Sequence, residues 1–199
     1  MQKKIFFWMI AAILVCDASV FTSCTIDNAD NPVKPLGIAI DETNFPDAAF
    51  RQCLFDYYKF AKDGILTDEE IKNTTTLEVD WEDIKNLKGI EYFTALEELD
   101  CCGNDLTELD VSTIQALEMI QCYNNKISGQ NMDNLIGSLP LNDTPTYFDF
   151  AVINYSMGVE KEGNVCTKSQ VEALKAKGWL PQQWDDDEEE WVEYPGSDN

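Results

Sequence analysis

The chain has 199 residues, with 37 acidic side chains against 14 basic ones and no histidine. A formal charge of −23 argues against nucleic acid and anionic lipid headgroups as partners. The missing histidine excludes Ser-His-Asp and Cys-His catalysis and every histidine-containing metal site.

Lys3 and Lys4 open the chain, and Ile5 to Val15 form an apolar core shorter than the roughly 20 residues needed to span a bilayer. Val20-Phe21-Thr22-Ser23-Cys24 then reads as a lipoprotein cleavage box, with a small residue just before the cysteine. Residues 1–23 are therefore expected to be a signal peptide. Cys24 would be the lipidated first residue of the mature chain, and the only membrane contact would be this lipid anchor. Cys16 fits less well because Val15 precedes it. Residues 24–37 read as a linker.

Residues 38–73 read as a helical N-terminal cap. Phe45-Pro46-Asp47 suggests a helix start with Pro46 in the first turn, followed by the apolar stripe Ala49, Phe50, Cys53, Leu54 and Tyr57. Thr67-Asp68-Glu69-Glu70 is a capping box for a second short helix. The preceding turn overlays a calcium loop with Gly64 at its sixth position. Lys59 and Ala61 then stand where oxygen ligands are required, so the turn reads as a helix junction.

Leu96-x-x-Leu99-x-Cys101-x-x-Asn104-x-Leu106 recurs as Leu117-x-x-Ile120-x-Cys122-x-x-Asn125-x-Ile127, every position at a spacing of 21. This is a leucine-rich-repeat pattern, including the asparagine that closes the turn after each strand. Leu77, Val79, Ile84 and Leu87 precede it at a spacing of 22, with Glu82 in place of the asparagine. A further rung is expected at Tyr147 to Ile153, after a short helix marked by Met132, Leu135, Ile136 and Leu139. The predicted fold is α/β: a short solenoid of three to four rungs over residues 74–153. Residues 154–199 form its C-terminal cap, with a helix from Thr167 to Gly178 and a β-hairpin whose acidic turn lies between Trp184 and Trp191.

Strand alternation assigns side chains to faces. Thr76, Glu78 and Asp80, then Glu98, Asp100 and Cys102, then Met119, Gln121 and Tyr123, then Tyr147, Asp149 and Ala151 would look outward from one concave sheet. Glu78, Asp80, Glu98, Asp100, Gln121, Tyr123, Tyr147 and Asp149 are the predicted partner-binding residues. Cys101 and Cys122 face the core on adjacent rungs and are expected to be reduced thiols. Neither the Cys101-Cys102 pair nor the acidic run Asp185 to Glu190 reads as a metal site, and no catalytic residue or cofactor is predicted.

Several segments carry a resemblance: Asn44-Phe45-Pro46-Asp47, Asp63-Gly64-x-Leu66-Thr67-x-x-Glu70, Leu87-x-Gly89-Ile90, Leu109-Asp110-Val111-Ser112, Asn164-Val165-Cys166-Thr167 and Lys177-Gly178-Trp179. With them the chain resembles the short leucine-rich-repeat lipoproteins exported by Bacteroides-type gut bacteria, from about Ile38 to Tyr194. The resemblance implies a non-enzymatic surface protein of the outer membrane that presents its repeat face to another protein or to host matrix. The acidic face points to a protein or peptide partner of cationic character, and away from nucleic acid. Two alternatives stand beside this reading: a passive envelope or assembly component, and a carboxylate-dependent glycosidase using two acids in a cleft.

Overall fold

The spacings of 22 and 21 reappear as strand pairing in the computed structural model, which describes residues 37–58, 62–143, 148–156 and 162–198. The predicted signal peptide, Cys24 and Tyr147 lie outside the described residues. Three short strands, β3 (Thr76–Glu78), β4 (Glu98–Asp100) and β5 (Met119–Gln121), pair in parallel, with Leu77 beside Leu99 and Leu99 beside Ile120. A fourth parallel strand, β6 (Phe148–Ile153), sets Phe150 beside Ile120.

The sheet continues further than alternation suggests. β7 (Trp179–Asp185) joins β6 in parallel, and β8 (Glu190–Glu193) returns antiparallel to it, giving the order β3-β4-β5-β6-β7-β8. The predicted hairpin therefore extends the repeat sheet itself, with Trp184 opposite Trp191. Trp179 is fully buried, edge-on to Phe148 and Phe150, and its indole N–H donates to the Pro140 carbonyl at 2.9 Å.

Before the array, β1 (Gly37–Ala39) pairs antiparallel with β2 (Ile65–Thr67), a small sheet that the helical reading of this region does not include. Between them, α1 runs over Ala48–Tyr57. Pro46 stands outside the helix rather than in its first turn, because Asp47 is the N-cap and accepts the Ala49 and Phe50 amides. The other Asp47 oxygen accepts the Lys85 and Asn86 amides, so one carboxylate both starts α1 and ties it to the first repeat. Phe50, Cys53 and Leu54 are buried, but Tyr57 is 65% exposed and does not belong to the apolar stripe. The next residue, Tyr58, covers the free edge of β3: its hydroxyl accepts the Glu78 amide at 2.6 Å and donates to the Glu78 carbonyl at 3.1 Å. An edge strand is thereby shielded from further pairing.

α2 (Asp68–Asn73) starts on the predicted Thr67/Glu70 capping box. α3 (Gln130–Ser138) buries Met132, Leu135 and Ile136, and α4 (Lys168–Ala176) starts on a second capping box formed by Thr167 and Gln170. Gly178, at φ +82°, follows α4 and leads directly into β7. One core cluster, from Ile40 to Tyr194, runs behind all these elements.

Asparagines hold the turns. Asn104 Oδ1 accepts the Glu82 and Ile84 amides, while its Nδ2 donates to the carbonyls of Val79, Cys101 and Cys102. Glu82 thus needs no side-chain role, since the asparagine of the next repeat completes its turn. Asn125 does the same one step on, accepting from Leu106 and donating to Cys101 and Cys122. Asn164 is a third such residue, accepting from Ile127 and donating to Cys122 and Val152.

Candidate functional site: the open face of the sheet

In-register pairing arranges the outward residues in rows. Glu98, Met119 and Asp149 share one row, and Glu78, Asp100, Gln121, Ala151 and Gln182 share the next. Asp80, Cys102 and Tyr123 follow at the strand ends. Glu78 and Glu98 are exposed, whereas Asp80, Asp100, Gln121, Tyr123 and Asp149 are half-buried. Gln182 Nε2 donates to Asp149 Oδ1 at 3.3 Å.

Two assignments made by alternation fail. Cys102 and Ala151 are buried, not offered to solvent. The Tyr123 hydroxyl and the Asp100 carboxylate both lie near the Cys102 thiol and act on its protonation, after burial, which is the main cause that raises it. The Cys102 amide also donates to Asp100 Oδ1 at 3.1 Å. Ala151 is small and flanked by Gln121 and Gln182 on the neighbouring strands.

Burial raises the Asp100 carboxyl above its ordinary range, against the Cys102 hydrogen bonds, which lower it; the charges of Asp80 and Glu78 raise it further. Among the described residues no lysine or arginine pairs with Glu78, Asp80, Glu98, Asp100 or Asp149. The ion pairs lie elsewhere, at Arg51–Glu42, Lys126–Asp105, Lys168–Asp198 and Lys175–Glu193.

An aromatic border closes the strand-end side of this face. Tyr123 lies 5.3 Å from Trp191, and Trp191 lies 5.6 Å from Trp184, ring centre to ring centre. At the other end Trp81 is 48% exposed, its indole lying over Gly103 so closely that a Cβ there would come within 2.3 Å of the ring. Trp81, Gly103 and Asn124 occupy one turn position at spacings of 22 and 21, and all three have left-handed backbones, with φ of +58°, +65° and +53°. The recurrence is legible in the sequence, since each of the three stands three residues past the end of its strand.

Beside this border lies a carboxylate that the sequence reading passes over. Glu162 accepts the amides of Asn124 and Asn154 on one oxygen and of Asn164 on the other, all at 2.8–2.9 Å. Burial raises its pKa, although the three amides oppose the shift.

The five described cysteines are free and buried. Burial is the largest cause that raises each thiol, to about 12 for Cys53 and Cys166, so thiolate chemistry at these positions is suppressed at neutral pH. Lys59 and Ala61 of the calcium-like turn lie outside the described residues, and Asp63 Oδ1 accepts the Ile65 amide. Among the described residues no group of three or more Cys, Asp or Glu is placed to hold a metal ion, and no helix is long and apolar enough to cross a membrane. A cavity of about 720 Å³, floored by Leu87, Ile90 and Leu109, lies between the turn before β4 and α3, away from the sheet rows.

Strand pairing, repeat spacing and asparagine-held turns define a leucine-rich-repeat-like fold of mixed α/β type. No family model matches the chain, and no curated protein matches it. Among solved structures it is similar to internalin C2 of Listeria monocytogenes, at 17% identity and TM-score 0.49, covering 79% of this chain and 74% of that one. It is also similar to the functional domain of InlJ from Listeria monocytogenes, described as including a cysteine ladder, at 23% identity and TM-score 0.41 over 66% of this chain. An internalin, InlF, from the same organism matches at 19% identity and TM-score 0.40 over 76% of this chain. The chain spans 28% of the InlJ structure and 54% of the InlF structure.

Proposed function

We propose that this chain is a non-enzymatic cell-envelope lipoprotein that binds a protein or peptide partner through the open face of its sheet. The repeat array is read as three to four rungs continued by β7, with the β1–β2 and α1–α2 region and the C-terminal hairpin as its caps. One observation carries the reading: Glu78, Glu98, Asp100 and Asp149 share a face with half-exposed aromatics and, among the described residues, pair with no lysine or arginine. A solvated polar surface accounts for acids alone. Tyr123, Trp184 and Trp191 gathered at their border are the composition of a contact surface, and the charge selects a cationic partner.

The test is capture from host extracellular material and producing cells with the full-length chain, followed by reversal of Glu98 and Asp100 to Lys. Leu99 and Cys101 stay untouched, so the reversed chain should melt like the parent. Its association rate with the captured partner should fall, and the parent's rate should fall as salt rises. A partner indifferent to both removes this face as the site. Failure to capture any partner favours the second reading, a passive envelope component whose acids serve solubility.

The reading also places the chain on the outer membrane, at the cell surface, with Cys24 lipidated. Palmitate should label the parent and not Cys24→Ala; equal labelling of both overturns the anchor.

A further inference from the structure

We infer that the outer edge of β8 is a docking edge for an extended, cationic segment of a partner protein, which adds to the six-stranded sheet as one more antiparallel strand. The phase of the β7–β8 ladder is fixed by the Tyr194 N–H, which donates to the Pro181 carbonyl at 2.8 Å. Opposed residues of an antiparallel pair alternate between bonded and unbonded. Glu190 and Val192 therefore turn their backbone groups toward Asp185 and Gln183 of β7, while Trp191 and Glu193 turn theirs outward. Among the described residues nothing bonds these two outward N–H groups and two outward carbonyls.

The two ends of the sheet differ in this respect. At the first, the Tyr58 hydroxyl engages both backbone groups of Glu78 and closes the edge of β3. At the last, β8 reads Glu-Trp-Val-Glu, and no proline, lysine or bulge blunts it. A row of unpaired backbone groups is a template for another strand.

Charge selects which strand. A second copy is disfavoured, because two β8 edges laid together set glutamates of one against glutamates of the other. Glu193 is already met by Lys175 at 2.5 Å, whereas among the described residues no lysine or arginine pairs with Asp185 to Glu190. The uncompensated charge thus lies at the turn end of the edge. In an antiparallel addition, that end receives the C-terminal residues of the incoming strand, so its basic residues belong there.

Side chains on either side of the edge provide contact area. Trp191 looks toward the open face, held 5.6 Å from Trp184 and 5.3 Å from Tyr123, and Val192 points to the opposite side. Both are half-buried. Rings already fixed by their neighbours lose little freedom when a β-branched residue is laid beside them.

The experiment titrates the full-length chain with a capped heptapeptide of alternating threonine and valine ending in two lysines, and follows amide hydrogen exchange by NMR. In the free chain the Trp191 and Glu193 amides should exchange quickly and that of Val192 slowly; at saturation all three should be slow. Methylating the peptide's backbone nitrogens one at a time should weaken binding about tenfold at every second residue and little at those between. Moving both lysines to the N-terminus should weaken it about tenfold, and glutamates in their place should abolish it. Glu193→Pro removes an outward N–H without touching a β7 bond, so it should lose the peptide and melt like the parent. If that variant unfolds, the methylation series on the parent decides alone. The edge is overturned by no binding at millimolar peptide, by Trp191 and Glu193 amides that stay fast at saturation, by methylation effects that do not alternate, or by equal binding of the two lysine placements. Slow exchange of both amides without peptide, lost on dilution, means that a second copy covers the edge and overturns it too. These readouts concern the backbone of β8, so their failure leaves the reading of the acidic rows to the charge reversal of Glu98 and Asp100.

Discussion

Asn125 is 1% exposed and its amide serves four backbone groups, at Leu106, Cys101, Cys122 and Tyr123. Truncating it strands buried donors and acceptors, so Asn125→Ala should cost about 3 kcal/mol. Asn131 makes a single exposed bond to the Thr107 carbonyl, and Asn131→Ala should cost about 0.5 kcal/mol or less. Urea midpoints compare the two; indistinguishable midpoints would remove the structural role of the repeat asparagine. At this scale the sequence was half legible. Asn104 and Asn125 announced themselves by period, but Asn164 follows Asn125 after 39 residues because α3 and β6 intervene, and no fixed spacing points to it. Glu162 gave no signal, since a lone glutamate acquires its role only when three amides converge on it.

Helix starts were the most legible elements, because capping is local chemistry. Thr67 with Glu70 reads directly as a box and is one. Thr167 with Gln170 forms the equivalent box for α4, whose Gln170 also donates to Asp133 of α3 at 2.7 Å. Thr167→Ala should therefore lower stability by about 1 kcal/mol, and Gln170→Ala by more, because it breaks the cap and the link to α3 together. Thermal melts of the two variants check the order. Strands were less legible. Alternation tells which way a side chain leaves its strand but not what covers it, which is why Cys102, two residues past β4, and Ala151, within the six-residue β6, were misassigned. β7 was hidden for a different reason: its parallel partner β6 lies far back in the chain, and the Trp184 and Trp191 pair with its acidic turn advertises only the hairpin.

Across the whole molecule, excess negative charge and buried titratable groups set a common direction of pH dependence. The folded-state pKa values of Asp100 and Glu162 are raised, so their contribution to stability is present below the ordinary carboxylate range and is lost as pH rises through the raised values. Self-repulsion of a chain carrying −23 acts in the same sense. At the alkaline end, Cys53, Cys166 and Tyr58 hold their protons to about 12, whereas unfolded Cys and Tyr ionise from about 8.5 to 10. The melting temperature should thus be higher near pH 5 than near pH 8, and should fall steeply between about pH 9 and pH 12. A melting temperature that rises from pH 5 to pH 10 would contradict the burial of these groups.

The asparagine bonds all point one way along the chain. Asn104 finishes the turn that holds Val79 and Ile84, Asn125 that of Cys101 and Leu106, and Asn164 that of Cys122 and Ile127. Each turn is completed by a residue that follows it by 19 to 42 positions. A chain emerging N-terminus first from a ribosome therefore carries an unfinished turn at its growing edge, and the turn of Cys122 and Ile127 waits for Asn164.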